Sequence, residues 1–381
     1  MKIAFVYDPI YPYVIGGAEK RCREFAGALV KIGHEVSLVG MKYWQGENRI
    51  FEDDIELVGV CEAVPLYGKS GTRSIFEALY FSFHVFLHLL RNSYDVVDCG
   101  NIPYLPAIAA WAALFMTGKL GRTKFVVTWH EVWGLKYWVS YAKLAGIPGW
   151  MSEYVCAKIS PENIANSKFT KGRAEKILGI KPGKITVIPN AIELELFNKV
   201  PSMPKTGRII YTGRLVKHKR VDLLIEAFSE TAHAGAVLTI VGDGPEKEKL
   251  LRQAAELGVE NKVEFRGFLK KDELYVLIKS SKALVIPSER EGFAIIVVEA
   301  MALGVPVAAM ESEFSAVKTI ITDGRDGLLF KDKEGLKQAL NKLLSDEKYR
   351  AALIEEGYRT AKKYDLDSVV IPALIDYYKN I

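Results

Sequence analysis

The stretch Pro287-Ser288-Glu289-Arg290-Glu291-Gly292-Phe293-Ala294-Ile295-Ile296-Val297-Val298-Glu299-Ala300-Met301-Ala302-Leu303-Gly304-Val305-Pro306 decides how this chain is read. Its first six residues form a polar loop. Phe293 to Leu303 then read as a helix that is apolar almost all round. Such a helix belongs inside a core. Glu299 sits in its middle, and a lone carboxylate there has to be paired, hydrogen-bonded or protonated. Glu291 stands eight positions earlier, at the helix mouth. Two acceptor-rich side chains about two turns apart suit a ligand covered in hydroxyls. The helix N-terminus between them offers N–H groups and a partial positive charge, which suits a phosphate. Hydroxyls together with phosphate point to a sugar nucleotide.

Working outward, short apolar runs alternate with helical patterns along the whole chain. Lys2 to Val6, Val36 to Gly40, Val96 to Cys99, Lys124 to Thr128 and Asn163 to Ser167 read as strands. Ala18 to Ile32 reads as a helix that Gly33 stops. The rhythm restarts near Gly207, with strands expected at Arg208 to Thr212, Val237 to Val241, Val263 to Phe265, Ala283 to Ile286 and Val305 to Ala309. This alternation implies parallel sheets covered by helices on both faces. Prolines and a glycine between Pro182 and Pro204 mark a hinge, with the boundary near Asn190. The expectation is an α/β chain of two Rossmann-like, doubly wound domains, 1–190 and 191–364, facing each other across a cleft. Ligands of such sheets bind beyond the strand C-termini.

Composition excludes several function classes. Of the 381 residues 49% are hydrophobic and 25% charged, which is ordinary for a globular protein. The net charge is +5, and through Ser160 the bases and acids number 16 and 15, so the excess lies C-terminal. A small local excess fits a phosphorylated small molecule better than a nucleic acid, for which nothing else in the sequence speaks. Cys22, Cys61, Cys99 and Cys156 are far apart, which argues against zinc and a disulfide framework and for a reducing, cytoplasmic setting. Met1 to Asp8 reads as a first strand and not as a signal peptide. Ile75 to Leu90, rich in Phe, Leu and Tyr, reads as a buried helix in preference to a surface touching membrane. The near-neutral N-terminal half argues against strong attraction to anionic lipid.

Other chemistry-bearing residues follow strands. Gly16-Gly17 lies between the first strand and the first helix, where it is either a plain tight turn or a loop that lets backbone N–H groups approach a ligand. Arg214 and Lys219 follow the strand Arg208 to Thr212, a good place for cations that stabilise a departing diphosphate. His130 follows Lys124 to Thr128; a lone histidine is more often structural, but a strand end favours function. Gly242-Asp243-Gly244-Pro245 reads as a turn after a strand. Asp365-Leu366-Asp367 resembles a metal motif but lies before a terminal helix with no strand ahead of it, so no metal site is expected.

Glu291-Gly292-Phe293, Glu299-Ala300-Met301-Ala302, Gly304 and Pro306 resemble the Glu-x7-Glu signature of retaining glycosyltransferases of family four, the glycosyl transferases group 1. Gly213-Arg214-Leu215, Lys219 and Val221 to Ala227 resemble that family's cationic motif. The resemblance implies the two-domain GT-B fold, with the C-terminal helix (365–381) crossing back to complete the first domain. It implies that Arg214 and Lys219 grip the donor diphosphate and that His130 bonds the donor sugar near the acceptor. It further implies that Gly16 and Gly17 lie beside the diphosphate, that Gly242 packs near the nucleotide, and that Phe268 and Leu269 hold the base. Glu291, with the backbone of Gly292 and Phe293, would orient the sugar, and Glu299 would bond the ribose. The sequence departs from the family at Ala294, where Gly is common and where the sugar pocket would be tightened. It departs again at Glu311 to Ser315, which leaves donor preference open.

The expected function is therefore metal-independent, retaining transfer of a hexose from a UDP- or GDP-sugar to a hydroxyl acceptor, with no cofactor. Rival readings are a sugar-nucleotide epimerase of the same architecture and a non-catalytic sugar-nucleotide-binding protein. Trp129 just before His130, and Trp133, Tyr137, Trp138, Tyr141 and Trp150 after it, form a cluster that suits stacking on sugars, a membrane interface or plain packing. Saccharide, lipid-linked and small-molecule acceptors all fit, as does peripheral contact with the inner face of a membrane.

Overall fold

Apolar strands with both faces covered have to pair in parallel through helical crossovers, and both sheets are built that way. The computed structural model describes residues 1–68, 73–201, 203–231, 233 and 235–381. The chain divides into two compact units, Met1–Asn190 with Leu366–Ile381, and Ala191–Asp365.

The first unit holds β1 (Lys2–Val6), β2 (Glu35–Lys42), β3 (Arg49–Glu52), β4 (Ile55–Glu62), β5 (Val96–Gly100), β6 (Lys124–Trp129), β7 (Glu162–Ala165) and β8 (Ile185–Val187). They form one sheet in the order β3-β4-β2-β1-β5-β6-β7-β8, parallel except for β3. Its helices are α1 (Gly17–Lys31), α2 (Ile75–Arg91), α3 (Tyr104–Met116), α4 (Gly134–Ala142), α5 (Gly146–Ile159) and α6 (Lys168–Arg173). Right-handed crossovers put α2, α3 and α5 on one face of the sheet and α1 on the other.

The second unit holds β9 (Arg208–Thr212), β10 (Val237–Val241), β11 (Val263–Arg266), β12 (Ala283–Ile286), β13 (Arg290–Glu291), β14 (Val307–Met310), β15 (Phe314–Ser315) and β16 (Leu328–Phe330). Six of them form a parallel sheet in the order β11-β10-β9-β12-β14-β16, while β13 pairs with β15 alone. The helices are α7 (Leu194–Lys199), α8 (Val221–Ser229), α9 (Lys247–Glu256), α10 (Lys271–Lys279), α11 (Ile295–Ala302), α12 (Lys333–Ser345) and α13 (Glu347–Ala361). The last helix, α14 (Ile371–Asn380), belongs to the first unit and packs on α1. Ile371, Leu374 and Tyr378 are its buried face. The Tyr378 hydroxyl donates to Asp98 Oδ2 at 2.6 Å, and Thr128 Oγ1 donates to Asp98 Oδ1 at 2.5 Å.

Three expectations are corrected. The helix begins at Ile295 and not at Phe293, because Ala294 takes a left-handed conformation (φ 58°, ψ 60°) that no α-helix continues through. The strand expected at Val305 to Ala309 is β14, two residues later, since Gly304 and Val305 still close the helix by bonding to Met301 and Ala300 carbonyls. The helix Ile75 to Leu90 exists, but one side of it is uncovered: Ile75, Phe76, Leu79 and Phe83 are 57–71% exposed. The hairpin β3-β4 was not legible, because its turn is the charged pair Asp53-Asp54, both at positive φ.

Candidate functional site

In the second sheet the chain leaves β9 toward β10 and leaves β12 toward β14, so the loops after the neighbouring strands β9 and β12 part at their C-terminal ends. Such a switch point is the natural ligand crevice of an open α/β sheet. The loop after β9 carries Arg214 and Lys219; the loop after β12 carries Glu291. Lys219 Nζ donates to Glu291 Oε1 at 2.6 Å, with both side chains mostly shielded from solvent. The two residues expected to face one donor therefore touch across the switch point.

Glycines make this crevice by letting backbones close on one another. Gly242 lies at φ 135°, and a Cβ there would stand 2.0 Å from the Gly213 carbonyl oxygen. Only glycine fits. The loop after β9 is further pinned to the turn after β10 by Leu215 N–H to Asp243 O at 2.8 Å. The Tyr211 hydroxyl donates to the Arg214 carbonyl at 3.1 Å, holding the backbone while the Arg214 side chain remains exposed. Burial and then Glu291 raise the Tyr211 phenol, and Arg214 opposes the rise. Burial and then Lys219, Arg290 and Arg214 lower the His218 imidazole, with Glu291 opposing. Arg214, Lys219 and Glu291 thus share one electrostatic neighbourhood. Arg220 pairs with Glu289 and Asp222.

Glu291 is held from behind by the segment that departs from the family. Its strand β13 pairs Glu291 with Ser315, and Ser312 Oγ donates to the Glu289 carbonyl at 2.6 Å. The Phe293 side chain is buried edge-on to Tyr364, with ring centroids 5.5 Å apart, so only its backbone faces outward chemistry. The N-terminus of α11, at Ala294, carries no side-chain cap. Glu299 is 4% exposed and accepts from the Tyr275 hydroxyl at 2.9 Å, the partner that a buried carboxylate requires. Phe268, beyond β11, is 78% exposed, while Leu269 packs on the core that contains Tyr275, Phe293 and Val297.

In the first unit, His130 follows β6. Its N–H donates to Asn101 Oδ1 at 2.8 Å, and its carbonyl accepts from Asn166 Nδ2 at 3.0 Å. Two buried asparagines from the neighbouring strand ends β5 and β7 thereby clamp it. Burial and then Arg21 push its imidazole down to about 3, so it is neutral at pH 7. Gly16 is the extended N-cap of α1 and Gly17 its first residue, with nothing within 4 Å of a Cβ placed on Gly17. The aromatic cluster folds around buried Glu153, which accepts from the N–H groups of Trp133 and Gly134 and from Trp138 Nε1. Trp129 is wholly core. Asp365 bonds the Leu194 N–H at 3.1 Å, a capping role. Among the described residues no three His, Cys, Asp or Glu side chains converge as metal ligands would. Sequence reasoning missed Tyr211, Tyr275, Asn101 and Asn166. The tyrosines sit in apolar runs and the asparagines beside loops, with no signal of their own.

Residues 15–196 match the family described as Glycosyltransferase Family 4, and residues 193–360 match Glycosyl transferases group 1. The chain belongs to glycosyltransferase family 4. Arg214, Lys219, Gly242, Glu291 and Glu299 lie within the group 1 match, and Gly16, Gly17 and His130 lie within the family 4 match. This glycosyltransferase is 27% identical over 396 residues to the uncharacterized glycosyltransferase MJ1607 of Methanocaldococcus jannaschii, covering 97% of this chain and 96% of that one. Its fold is similar to that of sucrose-phosphate synthase from Thermosynechococcus elongatus, with a TM-score of 0.81 and 18% identity over 99% and 98% of the two chains. It is also similar to Anabaena HepE in complex with UDP and glucose, with a TM-score of 0.76 and 19% identity over 100% of each. The architecture is GT-B.

Proposed function

We propose that this glycosyltransferase moves a hexose, with retention at the anomeric carbon and without a metal ion, from a nucleoside diphosphate sugar to a hydroxyl acceptor. The observation that carries the reading is the 2.6 Å Lys219–Glu291 contact across the switch point of the second sheet. A cation and a carboxylate neutralise each other there until a donor separates their tasks. The diphosphate takes Lys219 and Arg214; the sugar hydroxyls take Glu291 and the backbone of Gly292 and Phe293. As the anomeric C–O bond breaks, negative charge grows on the leaving phosphate. Fixed cations stabilise it more in the transition state than in the ground state. The acceptor hydroxyl attacks from the same face, and the departing phosphate oxygen takes its proton. His130, neutral and clamped, donates or accepts a hydrogen bond at the sugar without altering the site's charge. Glu299 bonds the ribose, and exposed Phe268 with Leu269 borders the base. The UDP and glucose bound by the HepE relative support UDP as the donor nucleotide.

The test is a thermal-shift screen of UDP-, GDP- and ADP-sugars, followed by mass spectrometry of products with saccharide and lipid acceptors. Lys219→Ala is expected to lower turnover by about a hundredfold or more, while donor affinity changes far less. Unchanged turnover removes Lys219 from the mechanism. An epimerised sugar nucleotide formed from donor alone would replace the transferase reading.

A further inference from the structure

The helical layer over one face of the first sheet is unusual in its charge. Between Gly134 and Ile159 the only acid is Glu153, and it is fully buried. The same stretch exposes Lys136, Lys143 and Lys158. Interleaved with them are exposed Leu135, Val139, Leu144, Ile147, Met151 and Val155, with Leu144 79% and Met151 55% exposed. On α5 the positions 147, 151, 155 and 158 recur at helical spacing, so apolar side chains and a lysine share one outward stripe. The α2 stripe of Phe76, Leu79 and Phe83 belongs to the same layer, since α3 packs against both α2 and α5. From Ala78 to Tyr94 and from Cys99 to His130 the sequence contains no acid. The nearest acids along the chain are engaged elsewhere: Glu131 with the Trp133 indole N–H at 2.7 Å, and Glu162 with Lys184 at 2.6 Å.

A contiguous apolar surface left in water marks an interaction site. Here it is rimmed by exposed lysines, side chains whose stems can cover apolar surface while the charged head stays in water. Aliphatic side chains with lysines and interfacial tyrosines are the chemistry of a helix lying in a lipid headgroup region. We infer that the α4–α5 hairpin, aided by the α2 stripe, docks this protein onto an anionic lipid bilayer. Local charge decides this, not the near-neutral sum over the N-terminal half. The hairpin starts four residues after His130, so docking would set the acceptor side of the unit at the headgroup plane. The surface argument stands without the transferase reading.

The test is flotation of the full chain with vesicles of phosphatidylcholine alone and of phosphatidylcholine mixed with phosphatidylglycerol. The protein is expected to float with the anionic vesicles, to float far less with the neutral ones, and to be released by salt. Replacing Lys136, Lys143 and Lys158 together by alanine is expected to weaken binding about fivefold per lysine, on the order of a hundredfold for the three. Leu144→Glu with Met151→Glu is expected to abolish flotation with an unchanged thermal melt, because both side chains are exposed. Absence of flotation with anionic vesicles, or equal flotation of wild type and both variants, overturns the proposal. So does a dimer in light scattering that the Leu144→Glu, Met151→Glu variant splits, which would assign the face to a second copy of the chain.

Discussion

Single residues carry two kinds of constraint in this molecule. Ala294 occupies left-handed backbone at the head of α11, where a Cβ is unfavourable. Ala294→Gly is expected to raise stability by about 0.5–1 kcal/mol, read from urea unfolding midpoints. A fall in stability would mean that the methyl group contributes packing that outweighs the strain. His130 and His88 carry the second constraint. Burial, then Arg21, pushes the first down to about 3, and burial, then Arg49, pushes the second down to about 4. Both titrate near 6.5 when unfolded. The unfolded chain therefore binds more protons than the folded one as pH falls below about 6.5, and stability declines from there toward pH 4 and then pH 3. Above pH 7 neither residue contributes a slope. Urea midpoints measured from pH 8 to pH 4 check this, and His130→Asn is expected to flatten the acid side.

At the scale of elements, the loop after β9 is shaped by a turn on a neighbouring strand and not by its own sequence. Gly242 sits where any side chain would strike the Gly213 carbonyl. Gly242→Ala is expected to lose roughly 3 kcal/mol in denaturant unfolding, before any effect on donor binding. A variant of wild-type stability would show that the two loops separate easily. The pairing of β13 with β15 gives the 311–315 segment a task that its departure from the family left open. It fixes the backbone beside Glu291, through the Glu291–Ser315 pairing and the Ser312 bond to the Glu289 carbonyl.

At the scale of the whole molecule, the chain closes its first unit with its last helix. The Tyr378 hydroxyl donates to Asp98, a side chain 4% exposed in the middle of β5. Tyr378→Phe is expected to reduce stability by about 1–3 kcal/mol, because a buried carboxyl group loses a hydrogen-bond partner. Differential scanning calorimetry checks this, and an unchanged melting temperature would mean that water replaces the hydroxyl.

The alternation of apolar runs with helical patterns was enough to read two largely parallel sheets, because a helix between successive strands brings the chain back to start the next strand in the same direction. The Glu291 to Gly304 spacing and the Arg214, Lys219 pair were legible because each sits beside a strand end that hydrophobic patterning already marks. Residues 75 to 90 look equally apolar whether a helix is covered or bare, so only packing revealed the uncovered side of α2. Tyr275 and Glu299 lie 24 positions apart and meet only when α10 packs on α11. Asn101 and Asn166 reach His130 from strands on either side. The sequence by itself determined the class of fold and singled out Lys219 and Glu291, which the structure brings into contact, since those follow from local period and residue type. Tertiary structure alone decided which hydroxyls and amides hold them and which apolar faces stay open to water, because contacts between distant segments leave no periodic trace in the chain.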